Sequence, residues 1–201
     1  AALSAGGKGV VSFLDTLLGR KHPPVIGLDI SSSSVKLVEL GQTAAGEYVL
    51  ERFGAESFEK GWIADGQSEK FDEVAEAVRR VVAKSGTKTR QVVMAMPQSA
   101  VITKKIMLPA GLREEELELQ VESEANQYIP FSLDEVSLDF CVIGPSPTSV
   151  GDVEVLIAAS RKDRVQDRQG LAEAAGLKPV VLDIESHASR LAMGRVVAGL
   201  P

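Results

Sequence analysis

Residues 25–40 constrain this chain most. A short apolar run, Val25 to Ile30, meets four consecutive serines, Ser31–Ser34, and an alternating pattern resumes at once through Leu40. An apolar run bounded by Pro23-Pro24 and by small polar residues reads as a buried strand. In the next segment Val35 and Leu37, with Glu39 as a candidate third member, share one face, while Lys36, Val38 and Leu40 share the other. Tyr48 to Phe53 is a third strand candidate. Linkers this short join antiparallel neighbours, so the first 30 or so structured residues are expected to form a meander.

The pattern then changes period. Phe71, Val74, Ala75, Val78 and Val82 recur at helical spacing, and Ser85-Gly86 supplies a stop. Gln91 to Met96 reads as a buried strand halted by Pro97. A second unit follows: a strand from Val101 to Leu108, a helix from Arg113 to Tyr128, and strands Val136 to Ile143 and Val153 to Ala159. Glu114, Glu115 and Glu116 fall in the first turn of that helix, where its dipole favours negative charge. Leu117, Val121, Ala125 and Tyr128 form its expected apolar stripe, and Ile129-Pro130 forces the chain into an extended path. The last elements are a helix from Arg161 to Ala175, a strand from Val180 to Ile184, and a helix from Glu185 to about Val197 that buries Ala188, Leu191, Ala192 and Val196. Val10, Val11, Phe13, Leu14, Leu17 and Leu18 suggest a short helix near the start, and Ala1 to Val10 a flexible tail. No internal repeat or coiled coil is present.

Composition excludes some functions. Hydrophobic residues make up 44% of the 201 positions, enough for a core, while a net charge of -6 disfavours binding to nucleic acid, whose phosphates need a basic surface. Cys141 is the only cysteine, so no disulfide forms within the chain, which fits a reducing compartment. No apolar run approaches the roughly 20 residues that cross a bilayer as a helix.

Two places offer chemistry. At Asp29 a buried strand delivers a carboxylate to a tight turn of small hydroxyl residues, whose clustered N–H groups suit phosphate oxygens. Asp29 is a candidate to orient hydrated Mg²⁺, which uses one or two carboxylates and keeps most of its waters. Ser31, Ser32, Ser33, Ser34 and Lys36 are candidate phosphate contacts; the alternative is a serine-rich hairpin turn with no ligand. The second place is Glu185, where a strand runs into a helix. It suits either a metal- or water-orienting role or simple capping of the helix N-terminus. His187 has no partner His or Cys at ligand spacing and reads as structural.

The stretch Asp29-Ile30-Ser31-Ser32-Ser33-Ser34-Val35-Lys36 resembles the first phosphate loop of the actin, heat-shock chaperone and sugar-kinase superfamily. Those loops carry Gly where this chain has Ser31, whose side chain is expected to narrow the approach to phosphate. Glu185-Ser186-His187-Ala188 resembles the superfamily's Glu-x-x-Ala stretch, in which the Glu lies near the metal and the attacking water. The order of elements fits an α/β, actin-like (RNase H-like) core subdomain interrupted by a strand–helix–strand–strand subdomain, as in the FtsA and PilM families. PilM-like proteins are the nearer resemblance. It is carried by residues 27–36, by Ser99-Ala100-Val101-Ile102-Thr103-Lys104-Lys105-Ile106, by Glu122 to Phe131 with Leu133-Asp134-Glu135-Val136 and Leu138-Asp139-Phe140, and by Val155 to Lys162.

With a tail and short helix expected over 1–23, the resemblance implies a core over 24–97, an insertion over 98–176 and a closing strand and helix over 177–201. It implies ATP or ADP with Mg²⁺ in the full-length protein, with Glu185 as the catalytic candidate. At most it implies a weak ATPase, and no turnover by one lobe alone. It implies a cytoplasmic adaptor at the inner face of the inner membrane, within the type IV pilus assembly complex. The expected partners are the N-terminal peptide of PilN, other pilus inner-membrane and motor proteins, and a further copy of the chain; no nucleic acid is expected. Tyr128, Ile129, Pro130 and Phe131 are the candidate peptide contacts, with core packing as the plainer alternative. An FtsA-like filament protein is the alternative function; a metabolic kinase of the superfamily is disfavoured by the lack of a sugar-binding set of polar groups.

Overall fold

The computed structural model describes residues 24–198; the helix expected around Val10 to Leu18 lies outside them. Strands β1 (Ile26–Ile30), β2 (Ser34–Gln42) and β3 (Tyr48–Ser57) form the expected antiparallel meander. A small hairpin, β4 (Ile63–Ala64) and β5 (Gln67–Ser68), precedes helix α1 (Phe71–Ser85), and β6 (Gln91–Met96) follows. The hairpin was not foreseen, although Asp65-Gly66 is a strong turn signal. Both residues have positive φ, 48° and 77°, as a two-residue turn of this kind requires.

The main sheet is completed by β10 (Lys178–Ile184), in the order β10-β6-β1-β2-β3. β1, β6 and β10 run parallel, while β2 and β3 are antiparallel additions. Ile26, Leu28 and Ile30 of β1 and Val35 and Leu37 of β2 face α1, which buries Val74, Ala75, Ala77, Val78 and Val81 against them. The stripe is centred one residue earlier than the spacing predicts: Val81 is fully enclosed and Val82 half-buried. Gly54 of β3 lets α1 approach, since a Cβ there would sit 3.0 Å from the Val81 side chain and 3.1 Å from its carbonyl oxygen. Glu39 does lie on the buried face of β2, where charge is costly. The Thr87 and Thr89 hydroxyls donate to it at 2.8 and 2.5 Å, and Arg52 lies 3.5 Å away.

A three-stranded antiparallel sheet, order β7-β9-β8, comprises β7 (Ile102–Pro109), β8 (Val136–Pro145) and β9 (Asp152–Arg161). Helix α2 (Glu114–Tyr128) packs Val121 and Ala125 on it, beside Ile106, Leu108, Val155 and Ile157. Tyr128 departs from the expected stripe. Its side chain stays half exposed with the Lys104 ammonium 4.6 Å above the ring, because Ile129 takes the core position at the helix end instead.

Helix α3 (Lys162–Ala174) falls within the insertion expected over 98–176, yet its Val165, Leu171 and Ala172 belong to the larger core cluster. Helix α4 (Glu185–Ala198) corrects another expectation. Leu191 and Met193 are at least half exposed, Ala192 is exposed and Ala188 only half-buried, because the described helix packs mainly on β10 and β6. Among the described residues no helix is long and apolar enough to cross a membrane.

Candidate functional site

The three parallel strands bring their carboxyl ends together, the place where open α/β sheets bind ligands. Leu28, Met94 and Leu182 stand side by side in the register and face the core. One residue further, Asp29, Ala95 and Asp183 point to the opposite face. The small Ala95 leaves the floor between the two carboxylates low. Asp29, the serine turn, Lys36 and Glu185 therefore share one end of one sheet.

The turn is a tight hairpin. The Ser31 N–H donates to the Ser34 carbonyl at 2.9 Å, the Ser31 hydroxyl donates to the same carbonyl at 3.1 Å, and the two hydroxyls lie 2.9 Å apart. The Ser33 carbonyl accepts the Phe58 N–H at 2.9 Å. The Ser31 side chain is thus folded back on Ser34 rather than crowding the outer approach. Ser32, exposed, and Ser33, half-buried, form the tip, and their N–H groups have no backbone acceptor among the described residues. Asp29 stands opposite Lys36 in the strand register, and its Oδ2 accepts the Lys36 ammonium at 3.0 Å.

Glu185 opens α4, half-buried, next to Ser186, whose hydroxyl donates to Gln98 Oε1 at 2.6 Å. Burial pushes the Glu185 carboxyl above the ordinary range; the Arg168 cation and, more weakly, Lys36 pull it back, while the Asp29 charge adds to the rise. Arg168 is enclosed on α3, only 2% exposed, and its Nη1 donates to the Ile30 carbonyl at 2.7 Å. Burial lowers its affinity for the proton, opposed by Glu185, Asp167 and Asp29. Asp183 accepts the Ile184 N–H at 2.8 Å and lies 3.1 and 3.2 Å from His187 Nδ1, which gives His187 the structural place expected of it. Arg168 and Asp183 were missed on sequence. Arg168 could have been found: it sits between Val165 and Leu171 on the apolar stripe of α3, where a cation is out of place.

These residues fit a phosphate with a hydrated cation. Among the described residues the two N–H groups of the turn tip have no backbone acceptor and Asp29 Oδ1 has no hydrogen-bond partner, and Lys36 adds charge. Among the described residues no group of three or more His, Cys, Asp or Glu side chains is set to hold a metal ion. A Mg²⁺ here would complete its shell with water and phosphate oxygens.

A second concavity lies against the three-stranded sheet, beside the turn that leads into β7. It has a volume of about 170 Å³ and is walled by Val101, Ile102, Phe131 and Val136, with Arg161 and Arg164 on its rim. Small-molecule sites run to roughly 300–1,000 Å³, so this groove suits one or two side chains of a peptide instead. The Ser160 hydroxyl donates to the Ala100 carbonyl at 2.7 Å and ties its floor together. The Arg161 guanidinium lies 5.6 Å over the Phe131 ring while pairing with Asp163 at 2.6 and 3.1 Å. Of the four candidate peptide contacts, only Phe131 lines this groove. Ile129 is core, Pro130 is exposed, and Tyr128 stands beside Lys104.

Comparison with known proteins identifies the family. The family model described as "Type IV pilus assembly protein PilM" matches residues 27–201. A solved "PilM-PilN type IV pilus biogenesis complex" is similar at 31% identity and TM-score 0.72, over 81% of this chain and 47% of that one. The chain therefore spans about half the length of that relative. The cytoplasmic domain of EpsL, an inner membrane component of the type II secretion system of Vibrio cholerae, aligns at 12% identity and TM-score 0.49, over 80% of this chain and 57% of its own. The ethanolamine utilization protein EutJ from Carboxydothermus hydrogenoformans aligns at 15% identity and TM-score 0.44, over 87% and 41%. The fold is α/β and actin-like, a mixed core sheet interrupted by a strand–helix–strand–strand unit. With the family pattern running from the serine turn through the final helix, the chain belongs to the type IV pilus assembly protein PilM family.

Proposed function

We propose that this chain forms the first lobe of a cytoplasmic adaptor in the type IV pilus assembly complex, taking the N-terminal peptide of PilN in the groove beside Phe131. The observation that carries this reading is the groove itself: apolar walls, a half-exposed ring and two guanidinium groups beside the three-stranded sheet. Its size suits side chains of an extended peptide, and the similar solved structure is a PilM–PilN complex. An apolar peptide side chain sits between Val101, Ile102 and Val136, and Phe131 closes over it. Arg161 and Arg164 hold peptide carbonyls or a carboxylate at the rim. Binding through a membrane protein's peptide sets the adaptor at the inner face of the inner membrane.

The serine turn is proposed to hold the phosphates of ATP or ADP in the full-length protein. Ser32 and Ser33 N–H groups contact phosphate oxygens, Asp29 orients a hydrated Mg²⁺, Lys36 neutralises charge, and Glu185 orients water or metal. Bound nucleotide supplies the negative charge that these groups meet. This lobe carries one side of such a site, so it lacks the enclosure that turnover needs.

Titrating a synthetic PilN N-terminal peptide into this chain tests the main reading. Saturable binding that is lost in Phe131→Ala and in Arg161→Ala, with circular dichroism unchanged, supports it. Absence of binding to the wild-type chain, or equal binding to both variants, removes the groove from the role.

A further inference from the structure

We infer that Arg168 is the positioning residue of the serine turn, gripping it from beneath so that its tip presents N–H groups outward. The inference rests on the reading that the turn meets phosphate, but its structural part stands apart from any ligand.

A guanidinium is among the most expensive groups to enclose, and an apolar residue of similar length would fill the same space at less cost. Arg168 is nevertheless 2% exposed, and its Nε has no acceptor among the described residues. Buried donors are nearly always paired, so an enclosed cation with an orphaned N–H signals a role that packing alone does not explain. Among the described residues its one hydrogen bond, 2.7 Å from Nη1 to the Ile30 carbonyl, spans 138 residues of sequence. Ile30 is the last residue of β1, directly before the turn. Fixing its carbonyl fixes the plane of the Ile30–Ser31 peptide, and with it the Ser31 N–H that closes the hairpin onto Ser34.

The neighbouring residue makes the grip rigid. Asp167 accepts the Ser68 N–H at 3.0 Å and also the Ser68 hydroxyl, which anchors α3 to the β4–β5 hairpin. Two consecutive residues of α3 thus hold two separate loops, Asp167 by its carboxylate and Arg168 by its guanidinium. Arg168 also sets a positive charge under a turn built for anions, near Asp29 and Glu185, without being able to touch a ligand itself. It acts through the turn and is not a catalytic residue.

The test compares wild type, Arg168→Lys and Arg168→Met by amide hydrogen exchange without nucleotide. Protection of Ser31 and Phe58 N–H, both bonded across the turn, should fall by about tenfold or more in Arg168→Met while Val93 and Ala95 in β6 stay protected. Arg168→Lys should restore part of that protection. In the wild type, the Arg168 Nε–H should exchange far more slowly than free arginine, a reading that needs no variant to fold. Unchanged Ser31 and Phe58 exchange in both variants, or fast Nε–H exchange in the wild type, overturns the inference. Titration of full-length protein with Mg·ADP then separates the two readings. Loss of affinity in Arg168→Met with rescue in Arg168→Lys joins them. Absence of Mg·ADP binding to the wild type ends the nucleotide reading and leaves the grip on the turn intact.

Discussion

Asp29 and Lys36 face each other across the first two strands, with the ammonium 3.0 Å from Oδ2 and both side chains about half exposed. Exposed pairs of this kind contribute only about 0–1 kcal/mol to folding. The pairing therefore matters more for what it arranges than for what it stabilises: a carboxylate and an ammonium fixed side by side at the mouth of the serine turn.

Asp29→Ala and Lys36→Met should each change the urea midpoint little, in keeping with about 1 kcal/mol or less of stability at stake. In the full-length protein each should weaken Mg·ADP by about tenfold, the loss expected of one charge-assisted contact. A fluorescent ADP titration alongside the urea melt checks both numbers. Unchanged affinity would take these residues out of the site.

Glu185 sets a pH dependence. Burial raises its folded-state pKa above the unfolded value. Below the unfolded value both states hold the proton and nothing is lost. As pH rises, the unfolded state ionises first, so the folded protein loses relative stability until pH passes the folded value. Glu185→Gln should thus gain on the wild type in thermal melts as pH rises above the ordinary glutamate value, with the difference vanishing at the acid end. A constant difference across that range would mean the carboxylate is no more buried when folded than when unfolded.

Ile129 and Phe131 should separate cleanly. Ile129 is 8% exposed in the second core cluster, so Ile129→Ala should cost about 2–5 kcal/mol in chemical denaturation. Phe131, 37% exposed on the groove, should cost far less when truncated but abolish most of the peptide binding. Denaturation and peptide titration on the same two variants give the answer; equal destabilisation by both would make Phe131 core.

Gly54 tests the packing of α1 on β3. Its added Cβ would press on the Val81 backbone carbonyl as well as its side chain, and backbone yields poorly. Gly54→Ala should destabilise by about 1–3 kcal/mol in a urea melt, the usual cost of overpacking. A neutral result would show that α1 can slide outward.

Residues 25–53, α1 and the acidic start of α2 were readable because each rests on a local cause: strand alternation, helical spacing, a turn signal, a dipole. The serine turn and Glu185 could be named as candidates for the same reason, since each stands at the end of a readable strand. Sequence also carried the family, through motifs spread from Gly27 to Ala192. It did not carry the exposure of Leu191 on α4, the exclusion of Tyr128 from its stripe in favour of Ile129, or the membership of Val165, Leu171 and Ala172 in the larger core. Periodicity shows that one face of a helix is apolar, but burial depends on which other element arrives to cover it. The hydrogen bond from Arg168 to Ile30 is the clearest case. Nothing local links two residues 138 apart, and only the packing of α3 on the sheet that β10 completes beside β6 puts that cation beneath the turn.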